Sequence, residues 1–169
     1  MFDCVLGIDP GVASVGLAVL RKQGKRPEVV WTENLRTSAR LDEASRLSQV
    51  YEAVRDAIAT HAPQQVAVER LMWGKNVSSA MKVSRASGVI LLAAHDSGVE
   101  IEEYAPLEVK MAVTGVGNAP KEQVRKVLRT AHRLEGVPDQ PDAADAVAIA
   151  FCHLMQSRLR AVARQAASS

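Results

Sequence analysis

Four carboxylate side chains occupy positions from which they could act together. Asp9 and Glu69 each end a short apolar run of the length expected for a buried strand. Asp142 and Asp145 follow Pro141 at i and i+3, which places both side chains on one face of a first helical turn. A single acid at such a place is commonly a turn residue or a helix cap. The set of four indicates a shared chemical task.

A cluster of converging carboxylates predicts a metal site. Their negative charges repel one another by roughly several kcal/mol unless a cation lies among them. Oxygen ligands favour hard cations, Mg²⁺ or Mn²⁺, over zinc. Two such ions about 4 Å apart can activate a water molecule and stabilise the leaving oxygen of a phosphoryl displacement. The carboxylates therefore favour metal-dependent phosphodiester hydrolysis, with two ions in each site.

Apolar spacing predicts the elements that hold these side chains. Strands are expected at residues 4–9, 15–20, 28–34, 65–69 and 99–104. Helices are expected at residues 41–60, 76–97, 106–113, 121–133 and 142–159. Residues 21–26 are polar and contain a glycine, which favours the connection of a hairpin. Three hairpin-joined strands followed by strands with helical crossovers predict an α/β fold, with a mixed sheet flanked by helices.

Composition limits the class of protein. The chain has 169 residues, of which 47% are hydrophobic and 24% charged, as in globular domains. It shows no repeat and no linker, so residues 1–160 are expected to form a single domain and residues 161–169 a frayed tail. Cys4 and Cys152 lie in apolar segments without a CxxC pair, which favours buried reduced thiols over a thiolate metal site. With no signal peptide and no bilayer-length apolar run, a cytoplasmic location without membrane contact is expected.

Charge is distributed in blocks, although the net charge is only +2. Residues 70–85 contain four Lys or Arg and no acid, whereas residues 134–155 contain four acids and no Lys or Arg. In the expected helix at residues 121–133, Lys121, Arg125 and Arg129 repeat at i, i+4. Basic surfaces beside an acidic site suit a polyanionic substrate, although charged residues also commonly cover solvated helices.

Several short motifs occur together in a recognisable order. They are Gly7–Gly11 with Gly16, Val68–Glu69, Lys75–Asn76, Arg85–Gly88 and Asp142–Ala146. Over roughly residues 4–155 this ordered set resembles the RuvC family of Holliday junction resolvases. The resemblance implies an RNase H-like fold and a homodimer that nicks four-way DNA junctions symmetrically with Mg²⁺ or Mn²⁺. It also implies a branch-migration complex of the RuvA and RuvB type as a partner.

The resemblance assigns roles to individual residues. It implies that Asp9, Glu69, Asp142 and Asp145 are the catalytic metal ligands, and that Lys110 and Lys121 lie near the scissile DNA. The full set expected to contact DNA is Arg70, Met72, Trp73, Lys75, Asn76, Lys82, Arg85, Lys110, Lys121 and Arg125.

One position departs from the family pattern. The family commonly has an aromatic residue three positions after the strand-ending Glu, at the centre of the junction, where this chain has Met72 followed by Trp73. Either side chain could stack on junction bases or wedge between them. Trp73 could equally be a half-buried anchor of its loop, so both readings stay open.

The helix expected at residues 76–97 is apolar on more than one side, which predicts that something besides its own sheet covers it. Its small residues and Gly88 would let a second copy of the helix approach closely. A C₂ dimer would present two equivalent sites to the two symmetry-related strands of a four-way junction. The alternative is a helix buried entirely within its own domain.

Three other functions share some of these sequence features. The Asp-x-Gly turn also occurs in actin-like and sugar kinases, but 169 residues cannot supply both of their nucleotide-binding halves. Other RNase H-like nucleases act on RNA–DNA hybrids or on precursor ribosomal RNA. The chain shows no basic hybrid-binding insertion, and Gly11–Gly16 lacks the Arg expected in the rRNA-processing relatives. A catalytically inactive binding module is disfavoured by the complete carboxylate set.

Overall fold

The computed structural model describes residues 4–24, 26–72 and 77–167. Its strands are β1 (Cys4–Asp9), β2 (Ser14–Gln23), β3 (Arg26–Arg36), β4 (Gln65–Glu69) and β5 (Glu100–Tyr104). Its helices are α1 (Glu43–His61), α2 (Val77–Asp96), α3 (Pro106–Thr114), α4 (Lys121–Thr130) and α5 (Pro141–Ala167). Every strand and helix expected from the apolar spacing is present.

The five strands form one mixed sheet in the order β3-β2-β1-β4-β5. The strands β1, β2 and β3 pair antiparallel, whereas β4 is parallel to both β1 and β5. The predicted sheet of three hairpin-joined strands followed by crossover strands is therefore confirmed. Because β1 and β4 are parallel neighbours, their carboxyl ends lie at the same edge of the sheet.

The strands β2 and β3 are longer than expected. Arg21 pairs with Glu28 and Gln23 with Arg26, so the polar segment at residues 21–26 is mostly strand and the turn is much shorter. Gly24 allows the tight turn, since its φ is +64°, a region that side chains rarely enter. A ribbon of this kind is held by its cross-strand pairs, which an apolar pattern does not reveal.

Two apolar layers lie on opposite faces of the sheet. On one face, residues such as Val5, Ala18 and Ala67 pack against α3, α4 and α5. On the other face, Leu6, Leu17 and Val66 pack against α1 and α2. The alternation follows from the strand period of two and decides which strand residues face α5.

The cysteines and the length of the apolar helices bear on the expectations from composition. Cys4 and Cys152 are both buried, as predicted. Of the helices in the described residues, none is long and apolar enough to cross a membrane.

Candidate active site

Asp9 and Glu69 end neighbouring strands on the face covered by α5. In β1, Asp9 shares a face with Val5, which belongs to the α5-side core, and in β4 Glu69 shares a face with Ala67. The register pairs Ile8 with Val68, so the two carboxylates follow side by side. Asp9 and Glu69 therefore lie close together where the two strands end.

Two glycines let α5 lie directly against the strands. A Cβ on Gly7 would stand 2.2 Å from the carbonyl oxygen of Ala146, and a Cβ on Gly16 would stand 1.9 Å from that of Asp142. No larger residue fits either position without moving the helix. The close approach brings the first turns of α5, with Asp142 and Asp145, to the ends of β1 and β2.

The carboxylates form one electrostatic cluster. Burial is the main cause that raises the pKa of Asp9 from 3.8 to about 8, and the negative charges of Glu69, Asp145 and Asp142 add to it, while Lys121 opposes them. Burial also raises the pKa of Glu69, with Asp145 adding to the effect and Lys121 and Lys110 opposing it. The site therefore disfavours its own negative charge, as expected where a cation is to be bound.

Lys121 is the cationic side chain that reaches the cluster. It donates a hydrogen bond to Asp145 and forms an ion pair with it. Burial alone would lower its pKa, but the hydrogen bond and charge of Asp145, with the charges of Asp9 and Glu69, outweigh burial and raise it. Lys121 and Lys110 line a small cleft, of about 40 Å³, together with Glu69 and Asp145. Both lysines thus lie beside the carboxylates.

Asp142 is engaged by a different partner. The Ser14 hydroxyl donates to Asp142 Oδ2 at 2.5 Å and also lies 2.7 Å from Asn34 Oδ1. Within the described ranges, no three acid, His or Cys side chains are gathered closely enough to hold an ion in this arrangement. Sequence reasoning missed Ser14 and Asn34, since neither belongs to a local motif.

Three of the residues expected to contact DNA are exposed around this edge of the sheet or on α2. Arg70 directly follows Glu69 and donates to the backbone carbonyl of Glu103 at 3.4 Å. Met72 is 60% exposed, and Lys82 on α2 is also exposed. Trp73, Lys75 and Asn76 lie outside the described residues, so the choice between Met72 and Trp73 stays open.

Two expected DNA contacts have partners within the chain. Arg85 on α2 forms an ion pair with Glu43 at 2.7 Å. Arg125 donates to the carbonyl oxygen of Asp139 at 3.0 Å, and Arg129 binds the same loop at residues 137–139. This basic face of α4 therefore holds the loop that precedes α5, and its contact with DNA stays a prediction.

A larger cleft, of about 500 Å³, lies elsewhere, between β3 and α1. Its charged lining is mostly acidic, with Glu33, Glu52 and Asp56 against Arg36. Such a lining repels a polyanion, whereas the carboxylate site lies beside Lys110 and Lys121.

Comparison with known proteins gives concordant results. Residues 5–153 match the family described as Crossover junction endodeoxyribonuclease RuvC. A protein of that name from Brevibacillus brevis is 43% identical over 149 residues, which are 88% of this chain and 90% of that protein. A namesake from Natranaerobius thermophilus is 41% identical over 156 residues, covering 92% and 97% of the two chains. The structure of T. thermophilus RuvC in complex with a Holliday junction substrate superposes with a TM-score of 0.86 at 33% identity, over 93% of this chain and 96% of that one.

Proposed function

The chain belongs to the RuvC family of crossover junction endodeoxyribonucleases, and we propose that it resolves four-way (Holliday) DNA junctions by hydrolysing phosphodiesters in two symmetry-related strands. The fold is the RNase H-like fold of the T. thermophilus relative. The observation that carries the proposal is the buried carboxylate cluster at the meeting point of β1, β4 and α5, with Lys110 and Lys121 beside it.

The carboxylates suit the divalent cations that the family uses. Asp9, Glu69, Asp142 and Asp145 offer only oxygen ligands, which favour Mg²⁺ or Mn²⁺. Burial and mutual repulsion raise the pKa of Asp9 to about 8, and a bound cation would relieve that repulsion. We therefore assign these four side chains as the ligands of two ions.

The bound ions would supply an activated water and charge stabilisation at the leaving oxygen. The chain itself contributes position and charge. The two strand ends hold Asp9 and Glu69 on a rigid sheet, and the first turns of α5 hold the other two carboxylates against them. The ammonium groups of Lys110 and Lys121 can bind the phosphates that flank the scissile bond, which fixes the DNA backbone without reading its sequence.

We also assign a homodimer to this function, because two symmetric incisions need two equivalent sites. Support comes from one side of α2, where Val77, Met81 and Leu92 are exposed although apolar. Gly88 lies on the same side, and a Cβ there would meet no atom within 4 Å. A second copy of the helix could therefore approach α2 closely along this stripe.

The remaining expected contacts extend the proposal. Either Met72 or Trp73 would meet bases at the junction centre, and the exposure of Met72, just beyond Glu69, is compatible with this role. Arg70, Lys82, Arg85 and Arg125 would contact phosphates, for which Arg85 and Arg125 must exchange their present partners. A branch-migration complex of the RuvA and RuvB type and a cytoplasmic location complete the proposal.

Substitution of the carboxylates tests the proposed function. Glu69→Gln and Asp145→Asn should each abolish Mn²⁺-dependent cleavage of a four-way junction, because a ligand charge is lost. Binding to the junction without metal should persist, because the lysines remain. Glu52→Gln and Asp56→Asn in the distant acidic cleft are matched controls and should cleave normally. Normal nicking by either site variant would remove its residue from the assignment.

A further inference from the structure

Ser14 and Asn34 lie next to Asp142 through the pairing of β2 with β3. Gly16 pairs with Asn34 on one side and with Asp9 on the other. Ser14 lies two residues before Gly16 and therefore on the same face of β2, the face covered by α5. The missing Cβ of Gly16 lets the backbone of Asp142 lie directly on this strand. The backbone of Asp142 thus packs against Gly16, and its carboxylate accepts a hydrogen bond from Ser14.

The Ser14 hydroxyl has one proton and two close neighbours. Its oxygen lies 2.5 Å from Asp142 Oδ2 and 2.7 Å from the Asn34 side-chain amide. One proton cannot be donated fully to both oxygens. The amide oxygen and nitrogen of Asn exchange places when the group turns by half a turn, and the nitrogen is a donor. Asn34 can then donate to Ser14, and Ser14 can donate to Asp142.

We infer that Asn34 and Ser14 form a hydrogen-bond relay, from the Asn34 amide through the Ser14 hydroxyl to the Asp142 carboxylate, and that both are positioning residues for metal binding. The inference rests on the proposed function, in which Asp142 is a metal ligand. In the relay each of these protons has an acceptor. With Oδ2 held by Ser14, the second oxygen, Oδ1, is the one left for a cation.

The opposite arrangement makes a different prediction. If Ser14 donates to Asn34 instead, its single proton is not available to Asp142. Neither residue then holds the Asp142 carboxylate in place, so that arrangement would not assist metal binding. The two cases differ in whether Asn34 has to donate, and this can be tested by replacing Asn34 with Asp. Asp has the same shape but donates nothing when ionised.

The first measurement is Mn²⁺ affinity of the full chain without DNA, from the electron paramagnetic resonance signal of free Mn²⁺. Groups that orient metal ligands typically change affinity by about 10-fold to 100-fold. Ser14→Ala and Asn34→Asp should each weaken Mn²⁺ binding by about 10-fold. Ser14→Thr keeps the hydroxyl and should restore most of the affinity. Thr32→Val, a loss of hydroxyl on the same face of β3, is the matched control and should bind like wild type.

The second measurement is single-turnover cleavage of a four-way junction over a range of Mn²⁺ concentrations. Ser14→Ala should shift the midpoint to higher Mn²⁺ while the rate at saturation recovers. Junction binding without metal should stay unchanged. A residue that only stabilises the fold would instead lower the active fraction at every Mn²⁺ concentration.

The outcomes separate this inference from the proposed function. Wild-type Mn²⁺ affinity in Ser14→Ala, or wild-type or tighter binding in Asn34→Asp, would overturn the relay even if the wild-type protein cleaves junctions. Weakened Mn²⁺ binding in both variants, rescued by Ser14→Thr, would support the relay even if the wild-type protein fails to cleave junctions. In that case the proposed substrate, and not the relay, would be wrong.

Discussion

Replacing Asp9 by Asn is expected to stabilise the metal-free protein while destroying its activity. The pKa of Asp9 is raised from 3.8 to about 8, mainly by burial and further by Glu69 and Asp145. At pH 7 the carboxyl is therefore mostly protonated in the folded chain and ionised in the unfolded one. The roughly 3 pKa units between 3.8 and 7, at about 1.4 kcal/mol each, correspond to about 4 kcal/mol of lost stability as an upper limit.

Asn has the same size as Asp and no charge, so it avoids this penalty but still has to bury an amide. If Asn recovers about half of the upper limit of about 4 kcal/mol, the free energy of unfolding rises by about 2 kcal/mol. For a chain of this length, that corresponds to a rise in Tm of about 4–8 °C. The gain would resemble the exchange of stability for activity that is common at active sites.

The pH dependence of stability tests the direction of the same effect. Because the folded-state pKa of Asp9 lies above its ordinary value, the contribution of Asp9 to stability should be fully present below about pH 4 and be lost as the pH rises toward about 8. The Asp9→Asn protein lacks this loss, so the difference in Tm between the two proteins should widen from pH 5 to pH 8.

The assay is calorimetric unfolding in EDTA at pH 5, 6.5 and 8. Asp42→Asn is the matched control, since Asp42 is exposed at the start of α1 and hydrogen bonds from Ser45 lower its pKa. That control should not raise the Tm at any of these pH values. An Asp9→Asn protein with an unchanged or lower Tm at pH 8 would refute the reasoning.

Three further outcomes follow from other parts of the molecule. Gly16→Ala places a methyl group against the backbone of Asp142, so it should lower stability by about 1–3 kcal/mol and weaken Mn²⁺ binding. Equal melting curves for wild type and Gly16→Ala would contradict the packing of α5 on β2. Lys121→Ala should reduce the slope of log affinity against log salt for junction binding by about 1, and an unchanged slope would place this lysine away from phosphate. Leu92→Arg, on the exposed stripe of α2, should sediment as a monomer and lose paired incision, so a dimer that persists would move the interface elsewhere.

Much of the fold could be predicted because its signals are local. Apolar runs ended by Asp9 and Glu69 predicted β1 and β4 with the observed bounds, since a buried central strand must be apolar on both faces. The extension of β2 and β3 could not be predicted in this way. Its residues are polar, and their pairing across the ribbon defines the strands.

In the site, too, only the local features could be predicted from the sequence. The i, i+3 spacing of Asp142 and Asp145 is local, and it predicted that both side chains lie on one face at the start of a helix. The contact of Ser14 with Asp142 joins residues 128 positions apart and left no sequence pattern. The charge pattern along α4 also did not reveal that the guanidinium of Arg125 donates to a loop carbonyl. Such partners are set by the tertiary fold and not by the helix that carries the residue.

Paired incision of a four-way junction is the most direct test of the proposed function. A mobile junction labelled in turn on each strand should be incubated with the protein and Mn²⁺, beside a linear duplex of matched sequence and an RNA–DNA hybrid. If the protein resolves four-way junctions, metal-dependent nicks should appear at symmetric positions in two opposite strands of the junction, with little cutting of the duplex or the hybrid. Equal cutting of the linear duplex, preference for the hybrid, or junction binding without any metal-dependent incision would contradict it.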